Sequence, residues 1–264
     1  MKKILTIALT LCLLATALAG CGSSAPAAPD PTAAPTEAPA EATAEPAAED
    51  GSYDGFDLAL AQEVCARLGW EYEAVAIDWA SKDAELKAGN INCIWNGFTC
   101  TGREEEYTWS DAYIDNSIVA IVRADSGIES LADLAGKTVM VQSASSGLDA
   151  LTANEELTAS FGELVQLPDY NTGFLELRQG TVDAVVVDVG VGNYQIANTE
   201  GDYVILSEPV SVEQYAVGFY LGNEALRDAV NEQLLAIAED GTMMSIAEKY
   251  VGKGLSLDSL CLCK

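Results

Sequence analysis

Two oppositely charged side chains in this sequence occupy positions from which a folded chain could bind a small charged molecule. Arg103 follows the apolar segment Ile91–Trp95 and a loop, and its planar guanidinium matches the two oxygens of a carboxylate. Asp188 ends the apolar run Val182–Val187, where a buried strand would present its carboxylate to a cation. Plainer interpretations remain open. Arg103 could pair with the glutamates that follow it, and Asp188 could cap a helix that begins at Val189.

Ser145 and Ser146 precede a predicted helix, and helix amino termini bind anions through free backbone N–H groups. Ser146 could act as the N-cap, and a Ser-Ser-Gly turn is often no more than a cap. Catalytic chemistry has less support, because the sequence contains no His, no nucleophile motif and no metal-binding cluster. General acid–base work would fall to carboxylates. We therefore expect no enzyme activity, no metal and no cofactor.

Strands alternate with helices along the elements that must position these residues. The predicted helices cover residues 56–68, 82–88, 128–134, 146–153, 172–179, 189–197, 224–239 and 243–250. The predicted strands cover residues 72–77, 91–95, 117–122, 138–141, 164–167, 182–187, 203–206 and 215–220. This alternation favours an α/β architecture with parallel sheets.

The amino-terminal segment predicts export and lipidation. Lys2 and Lys3 precede an uncharged run that ends in Leu-Ala-Gly-Cys, the lipobox pattern of bacterial lipoproteins. We expect residues 1–20 to be a signal peptide and Cys21 to carry the lipid that anchors the protein outside the bacterial cell membrane. The alternatives are an ordinary signal peptide or a spanning helix, but a spanning helix needs about 20 apolar residues and this run is shorter.

Composition excludes several classes of partner. Residues 21–50 are rich in Ala, Pro and Thr without apolar periodicity, so we expect a disordered tether. The net charge of −28 argues against binding nucleic acid or anionic lipid.

The cysteines do not form a disulfide framework. Cys12 lies in the expected signal peptide and Cys21 is expected to carry lipid, which leaves five cysteines, an odd number without regular spacing. We therefore expect free or buried thiols, and one bridge that cannot be assigned stays open.

An ordered series of short motifs then makes the sequence specific. The series comprises Gly55-Phe56-Asp57-Leu58-Ala59, Leu86-Lys87-Ala88-Gly89, Asn96-Gly97-Phe98-Thr99, Arg103, Trp109-Ser110-Asp111-Ala112-Tyr113, Ser130-Leu131-Ala132-Asp133-Leu134-Ala135-Gly136-Lys137, Val141-Gln142-Ser143-Ala144-Ser145-Ser146-Gly147, Leu177-Arg178-Gln179-Gly180-Thr181-Val182-Asp183-Ala184-Val185-Val186-Val187-Asp188 and Asp240-Gly241-Thr242. It resembles the amino-acid-binding lipoproteins of ABC importers, the extracellular solute-binding proteins of family 3. The resemblance covers nearly all of residues 51–252.

The resemblance implies a fold and partners. It implies the two-lobed type II periplasmic-binding-protein fold, an α/β fold with two crossover strands and a ligand cleft between the lobes. Lobe one would comprise residues 51–121 plus 214–264, and lobe two residues 122–213. The partners implied are a polar amino acid, a membrane permease and its ATPase, and the protein is expected to be an extracytoplasmic monomer.

The resemblance also assigns roles to the candidate residues. It implies that Arg103 binds the ligand carboxylate, with N–H groups near Ser145 and Ser146, and that Asp188 binds the ammonium. The motif after the second predicted strand would form the wall of the cleft in lobe one: Asn96, Gly97, Phe98 and Thr99. Thr99 could donate its hydroxyl to the carboxylate, Gly97 would let the backbone approach closely, and Phe98 could instead be core.

One family feature is missing from the expected place. Family members have an apolar strand before the Gly-Phe-Asp motif, followed by a loop that helps to bind the ligand, whereas here the tether runs directly into Gly51. The loss of that strand would leave unpaired edges in lobe one. A degenerate or truncated copy without a ligand is therefore one alternative function. A dehydratase-type enzyme and a sensor on the same fold are two others.

Overall fold

The computed structural model describes residues 4–9, 53–199 and 201–263 of the chain. The expected tether at 21–50, the lipidated Cys21 and most of the expected signal peptide lie outside these residues. In the part that is described, no helix is both long enough and apolar enough to cross a membrane.

Eleven strands are defined within the described ranges. They are β1 Ile4–Leu9, β2 Glu71–Ala76, β3 Cys93–Ile94, β4 Thr108–Trp109, β5 Ile114–Arg123, β6 Thr138–Gln142, β7 Glu163–Leu167, β8 Ala184–Asp188, β9 Tyr203–Ile205, β10 Ser211–Tyr215 and β11 Gly218–Phe219. The α-helices are α1 Phe56–Leu68, α2 Lys82–Ala88, α3 Ser146–Ala153, α4 Glu155–Ser160, α5 Tyr170–Gln179, α6 Val189–Ala197, α7 Glu224–Glu239 and α8 Thr242–Ala247. Short 3-10 helices cover Trp79–Ser81, Leu131–Leu134, Glu248–Lys253, Leu257–Ser259 and Cys261–Cys263.

The helix ends follow from local chemistry. Helices α1, α2 and α5 all stop at a glycine in the left-handed conformation, namely Gly69, Gly89 and Gly180, whose N–H groups bond back to the last turn. At the other end of α5, Asp169 accepts a hydrogen bond from the backbone N–H of Thr172. These stop signals are why the sequence predicts the carboxyl ends of the three helices correctly.

The strands form two sheets. The first has the order β2-β1-β3-β11-β4, and with α1, α2, α7 and α8 it makes lobe one. The second has the order β10-β5-β8-β6-β7, with β9 also paired to β5, and with α3 to α6 it makes lobe two. Both sheets are mixed, which corrects the expectation of parallel sheets. Strands β5, β10 and β11 run antiparallel to their neighbours, because the chain crosses between the lobes along them.

The expected vacancy in lobe one is filled by a segment that the sequence analysis assigns to the signal peptide. Strand β1, Ile4–Leu9, lies between β2 and β3 and pairs with both in parallel, over six residues with β2. The segment is uncharged and long enough for a strand, and it gives partners to backbone groups of β2 and β3 that would otherwise be unpaired. In this structure the sheet therefore does not lack its central strand.

Two strands carry the chain between the lobes. Strand β5, Ile114–Arg123, pairs within the second sheet from its first residue onward. The single strand predicted over residues 215–220 is two strands in the structure. Tyr215 ends β10 in the second sheet, whereas Gly218 and Phe219 pair with β3 and β4 in the first sheet. The break between them is the return crossing.

Each lobe has its own apolar core. In lobe one, α1, α7 and α8 pack on the sheet through residues such as Leu60, Val64, Leu234 and Phe219, which are fully buried. In lobe two, Val139, Val141 and Val186 lie on one side of the sheet and Met140, Val185 and Val187 on the other. Cys65, Cys93, Cys100 and Cys263 are free thiols, in agreement with the expectation of free or buried thiols.

Candidate functional site

A cleft of about 240 Å³ lies between the two lobes. Lobe one contributes residues that follow β3, and lobe two contributes residues that follow β6 and β8, so the site lies at the carboxyl ends of strands. Seven of the eight predicted binding residues line this cleft: Asn96, Gly97, Thr99, Arg103, Ser145, Ser146 and Asp188. The structure therefore brings residues as far apart in the sequence as Asn96 and Asp188 to one site.

Arg103 reaches across the cleft from lobe one. It is 9% exposed, and its guanidinium donates to Asp149 Oδ2 of lobe two at 2.6 Å. This pairing replaces the surface pairing with Glu104 or Glu105 that the sequence left open; Glu104 instead accepts a hydrogen bond from the backbone of Gly102. The contact with Asp149 uses one N–H group of the guanidinium, which has five N–H donors in all.

Phe98 is the predicted site residue that does not line the cleft. It is fully buried, and its ring packs against the rings of Trp79, Tyr107 and Trp109 at centroid distances of 5.6, 5.0 and 4.9 Å. The guanidinium carbon of Arg103 lies 5.7 Å from the same ring. The interpretation of Phe98 as core is therefore the one that the structure supports, and its contact with Arg103 supports that side chain from below.

The N-cap of α3 is the residue before the one that the sequence suggested. Ser145, not Ser146, is the N-cap of α3: its hydroxyl accepts from the backbone N–H of Leu148 at 3.2 Å and donates to Gln142 O at 2.8 Å. Ser146 is the first helical residue, and its hydroxyl lies 3.5 Å from Glu213 Oε1. The buried cap fixes the start of the helix, so the free N–H groups of its first turn face the cleft.

Asp188 ends β8 without capping the helix that follows. Its side chain makes no capping hydrogen bond and instead accepts from Asn116 Nδ2 at 2.9 Å and from the Tyr215 hydroxyl at short range. Burial raises the pKa of this carboxyl, while these hydrogen bonds oppose the rise. The N-cap interpretation is therefore set aside, and Asp188 is a half-buried carboxylate that lines the cleft.

The remaining lobe-one residues form the wall. Gly97 has a φ of 71°, and a Cβ there would lie 3.2 Å from the ring of Tyr215, so both conformation and space require glycine. Thr99 donates its hydroxyl to Glu213 Oε1 at 2.7 Å, which differs from the expected donation to a ligand. The side-chain oxygen of Asn96 is buried and has no hydrogen-bond partner among the described residues, so it is an open acceptor at the cleft.

Three further polar residues at the cleft were missed or weakly indicated by the sequence. Tyr215 and Asp57 line it, and Glu213 lies directly behind Thr99 and Ser146. Burial raises the pKa of Asp57 to about 6, against the hydrogen bond from the Tyr113 hydroxyl. Asp57 belongs to the Gly-Phe-Asp motif, which is a signal that could have identified it. Glu213 and Tyr215 stand in a short strand with no comparable motif.

The lobes also touch directly at one edge of the cleft. Trp79 Nε1 and Lys82 Nζ both donate to the carbonyl oxygen of Ala144 in lobe two, at 3.2 and 3.4 Å. Ala144 has a φ of 57°, and no other non-glycine residue in the described ranges has a positive φ. Because a Cβ disfavours this left-handed conformation by about 1–2 kcal/mol, the strain must be offset by the contacts that it allows.

Replacing Ala144 with glycine is expected to stabilise the folded protein by about 1 kcal/mol, since glycine adopts the left-handed conformation without a Cβ clash. For a domain of this size the midpoint of thermal unfolding should rise by about 2–4 °C. The matched control is Ala150→Gly in the first turns of α3, where the same change should lower the midpoint by a similar amount. A lower midpoint for Ala144→Gly would show that the conformation is not strained.

Within the described part of the chain, no group of three His, Cys, Asp or Glu side chains could hold a metal ion. The charged and polar groups that line the cleft include the Arg103 guanidinium from lobe one, the half-buried Asp188 carboxylate from lobe two and the amino terminus of α3. Two α/β lobes joined by crossing strands around such a cleft define the two-lobed periplasmic-binding-protein fold of type II.

Comparison with known proteins places this fold in a family. Residues 37–253 match the family of bacterial extracellular solute-binding proteins, family 3, and the chain belongs to that family. The sequence is 28% identical over 204 residues to the L-cystine-binding protein TcyJ of Escherichia coli strain K12, which covers 75% of this chain and 74% of that protein. Membership implies an extracytoplasmic location, and the family is one of solute-binding proteins rather than enzymes.

Solved structures give the same assignment. A substrate-binding protein of an ABC uptake transporter from Streptococcus pneumoniae with bound histidine is 32% identical, with a TM-score of 0.75 over 80% of this chain and 88% of that one. The structure of Tv2483 bound to L-arginine is 28% identical, with a TM-score of 0.74 over 80% of this chain and 86% of that one. The names of these three relatives mention three different amino acids.

Proposed function

We propose that this protein captures a polar amino acid in the cleft between its lobes and delivers it to the permease of an ABC importer. The observation that carries the proposal is the placement of Arg103 and Asp188 on opposite sides of one cleft. An amino acid presents a carboxylate and an ammonium, and burying either without a partner is costly, so a site for it must supply both charges. The relatives that bind cystine, histidine and arginine support this class of ligand.

The proposed binding mode follows from the donors and acceptors of the cleft. The carboxylate lies against the open N–H donors of Arg103 and the first turn of α3, where backbone N–H groups and the helix dipole favour an anion. The ammonium lies against Asp188, with the open side-chain oxygen of Asn96 as a further acceptor. The ligand then bridges lobe one and lobe two, which is the arrangement that lets binding energy hold the lobes closed.

Closure couples the ligand to delivery. The two crossing strands, β5 and β10, are the covalent links through which the lobes rotate, while the pair between Arg103 and Asp149 joins the lobes at the cleft. We propose that the protein works as a monomer held near its permease by a lipid on Cys21. The lipobox before Cys21 supports this anchor. A lipid there would hold the carrier at the membrane surface beside its transporter.

Calorimetric titration of the full chain against the twenty common amino acids and L-cystine tests the proposal. We expect saturable binding of one or a few polar amino acids at a stoichiometry of one. A protein that is folded by circular dichroism and binds none of them would contradict the function. D-enantiomers of the amino acids that bind serve as controls, because a D-amino acid with its carboxylate and ammonium on the same partners points its side chain in a different direction.

A further inference from the structure

A second carboxyl group, which the proposed function does not use, lies directly behind the cleft residues Thr99 and Ser146. Glu213 is 7% exposed and lies on β10, one of the two crossing strands. Its Oε1 accepts from Thr99 Oγ1 of lobe one at 2.7 Å and lies 3.5 Å from Ser146 Oγ of lobe two. This carboxyl group therefore lies on a crossing strand and contacts both lobes, so its protonation can change when a charged ligand enters the cleft.

Glu213 and Asp188 form a pair. Asn116 Nδ2 donates to Glu213 Oε1 at 2.7 Å and to Asp188 Oδ1 at 2.9 Å. Both oxygens therefore lie within hydrogen-bond distance of one nitrogen atom, which places the two carboxyl groups close together. The two carboxyl groups are thus bridged by one amide nitrogen and are close enough for each to feel the charge of the other. A hydrogen bond between two carboxyl groups requires a proton on one of them, because an ionised carboxylate has no donor.

The groups around the pair favour retention of that proton. The other titratable groups that face Glu213 are Asp188 at the end of β8, Tyr215 on β10, Tyr170 on α5 and Cys100 after β3. None of these groups is a cation, and the Arg103 guanidinium of the same cleft pairs with Asp149. Burial and the charge of Asp188 raise the pKa of Glu213 to about 7, while Thr99, Asn116 and Ser146 oppose the rise through hydrogen bonds.

We propose that Glu213 and Asp188 share one proton in the empty cleft and together form the subsite for a primary ammonium group, whose entry expels that proton to solvent. The proposal rests on the proposed function and adds a residue and a proton to it. An ammonium has three N–H donors, and two ionised carboxylates plus the open oxygen of Asn96 match them. The charge of the ammonium replaces the charge of the proton, so below about pH 7 the pair ionises fully only when a cation is present.

The ligand class follows from this chemistry. The subsite selects ligands with a free primary ammonium, and it disfavours N-acylated amino acids, which have no cation, and quaternary ammonium compounds, which have no N–H donor. Affinity should fall as the pH is lowered below about 7, because the entering ammonium must then displace a more firmly held proton.

Infrared difference spectroscopy on the full chain tests the shared proton without any amino acid. At pH 6 the wild-type protein should show a protonated carboxyl band that the Glu213→Gln variant lacks and that disappears as the pH rises through about 7. Asp57 also has a raised pKa, but it is present in both proteins and cancels in the difference. The matched control, Glu208→Gln, removes an exposed carboxylate in the same lobe and should leave the band unchanged.

The ammonium subsite is tested with methylammonium chloride as the probe. Methylammonium should abolish the Glu213 band at pH 6, whereas tetramethylammonium at the same ionic strength should not. A band that is absent in the wild type, unchanged in Glu213→Gln, or insensitive to methylammonium would overturn the proposal. Because this probe needs no amino acid, a failure of the amino-acid titrations would refute the proposed function while the subsite is still judged on methylammonium.

Protein stability gives an independent measurement in the same empty protein. The pKa of Glu213 is higher in the folded protein than in the unfolded chain, so the folded state binds more protons between pH 4.5 and about 7. This contribution to stability is present at low pH and is lost as the pH rises through that window. The midpoint of thermal unfolding should therefore fall by several degrees more in the wild type than in Glu213→Gln between pH 5 and pH 8. Equal decreases would contradict the shared proton.

If Glu213→Gln does not fold, Asp188→Asn supplies the same answer. Removing the charge of Asp188 removes one of the two causes that raise the pKa of Glu213. The infrared band should then disappear at a lower pH than in the wild type. A band that titrates at the wild-type pH in Asp188→Asn would show that the two groups do not share a proton.

Discussion

The Arg103→Gln variant is expected to bind its amino acid about 100-fold more weakly than the wild type, or not measurably. Arg103 is 9% exposed, and it is one of the two cationic side chains that line the cleft; the other, Lys253, pairs with Asp54. Removing one partner of a buried, hydrogen-bonded charge pair costs about 2–5 kcal/mol, and each 1.4 kcal/mol is a factor of ten in affinity. Titration calorimetry with the amino acid that binds most tightly measures the change.

Two controls separate the loss of the Arg103–ligand contact from the loss of the Arg103–Asp149 pair and from the loss of a positive charge. Asp149→Asn removes the carboxylate that Arg103 contacts but leaves the guanidinium in place; its side chain is 65% exposed, so affinity should change less than tenfold. Arg178→Gln removes a positive charge from an exposed position on α5 and should leave affinity unchanged. An Arg103→Gln protein that binds as tightly as these controls would remove Arg103 from the site.

A chain that begins at Cys21 is expected to be much less stable than the full chain, because it lacks β1. This strand pairs with β2 over six residues and with β3 on its other side. At about 1 kcal/mol for each hydrogen bond, its loss removes about 5 kcal/mol, which corresponds to a decrease of about 10–20 °C in the unfolding midpoint. Thermal unfolding followed by circular dichroism compares the two chains.

A point substitution tests the same strand without shortening the chain. Ile7→Pro removes a backbone donor in the middle of β1 and should reproduce much of the loss, whereas the matched Ile7→Val should change the midpoint little. If the full chain, the chain from Cys21 and Ile7→Pro unfold at the same temperature, β1 contributes nothing to the sheet. The result bears on export, because the predicted signal cleavage would remove the segment that completes lobe one.

The sequence predicts the α/β class and most elements because the local signals are strong. The three glycine stops fix helix ends, and the apolar runs of β6 and β8 are bounded by polar residues. The mixed direction of the sheets could not be predicted this way, because strand direction depends on which strands cross between the lobes. The division of residues 215–220 into two strands escaped prediction for the same reason, since the break is a crossing between sheets and has no local signal.

The site was predictable where charge and motif coincide. Arg103, Asp188 and the serines before α3 all line one cleft, although their partners differ from those considered. The partner of Arg103 is Asp149 in the other lobe, and no spacing in the sequence connects two residues that meet only when the lobes meet. Glu213 was missed because its importance comes from its contacts with Asn116 and Thr99, both about 100 residues away.

The central claim is that an amino acid lies between the lobes with its carboxylate on Arg103 and its ammonium on Asp188. A crystal structure of the full chain, grown with the amino acid that binds most tightly in the titrations, tests it most directly. We expect ligand density in the cleft, with carboxylate oxygens within hydrogen-bond distance of the Arg103 guanidinium and the nitrogen within the same distance of the Asp188 carboxylate. A ligand bound elsewhere, or bound in the cleft with these two ends reversed, would contradict it.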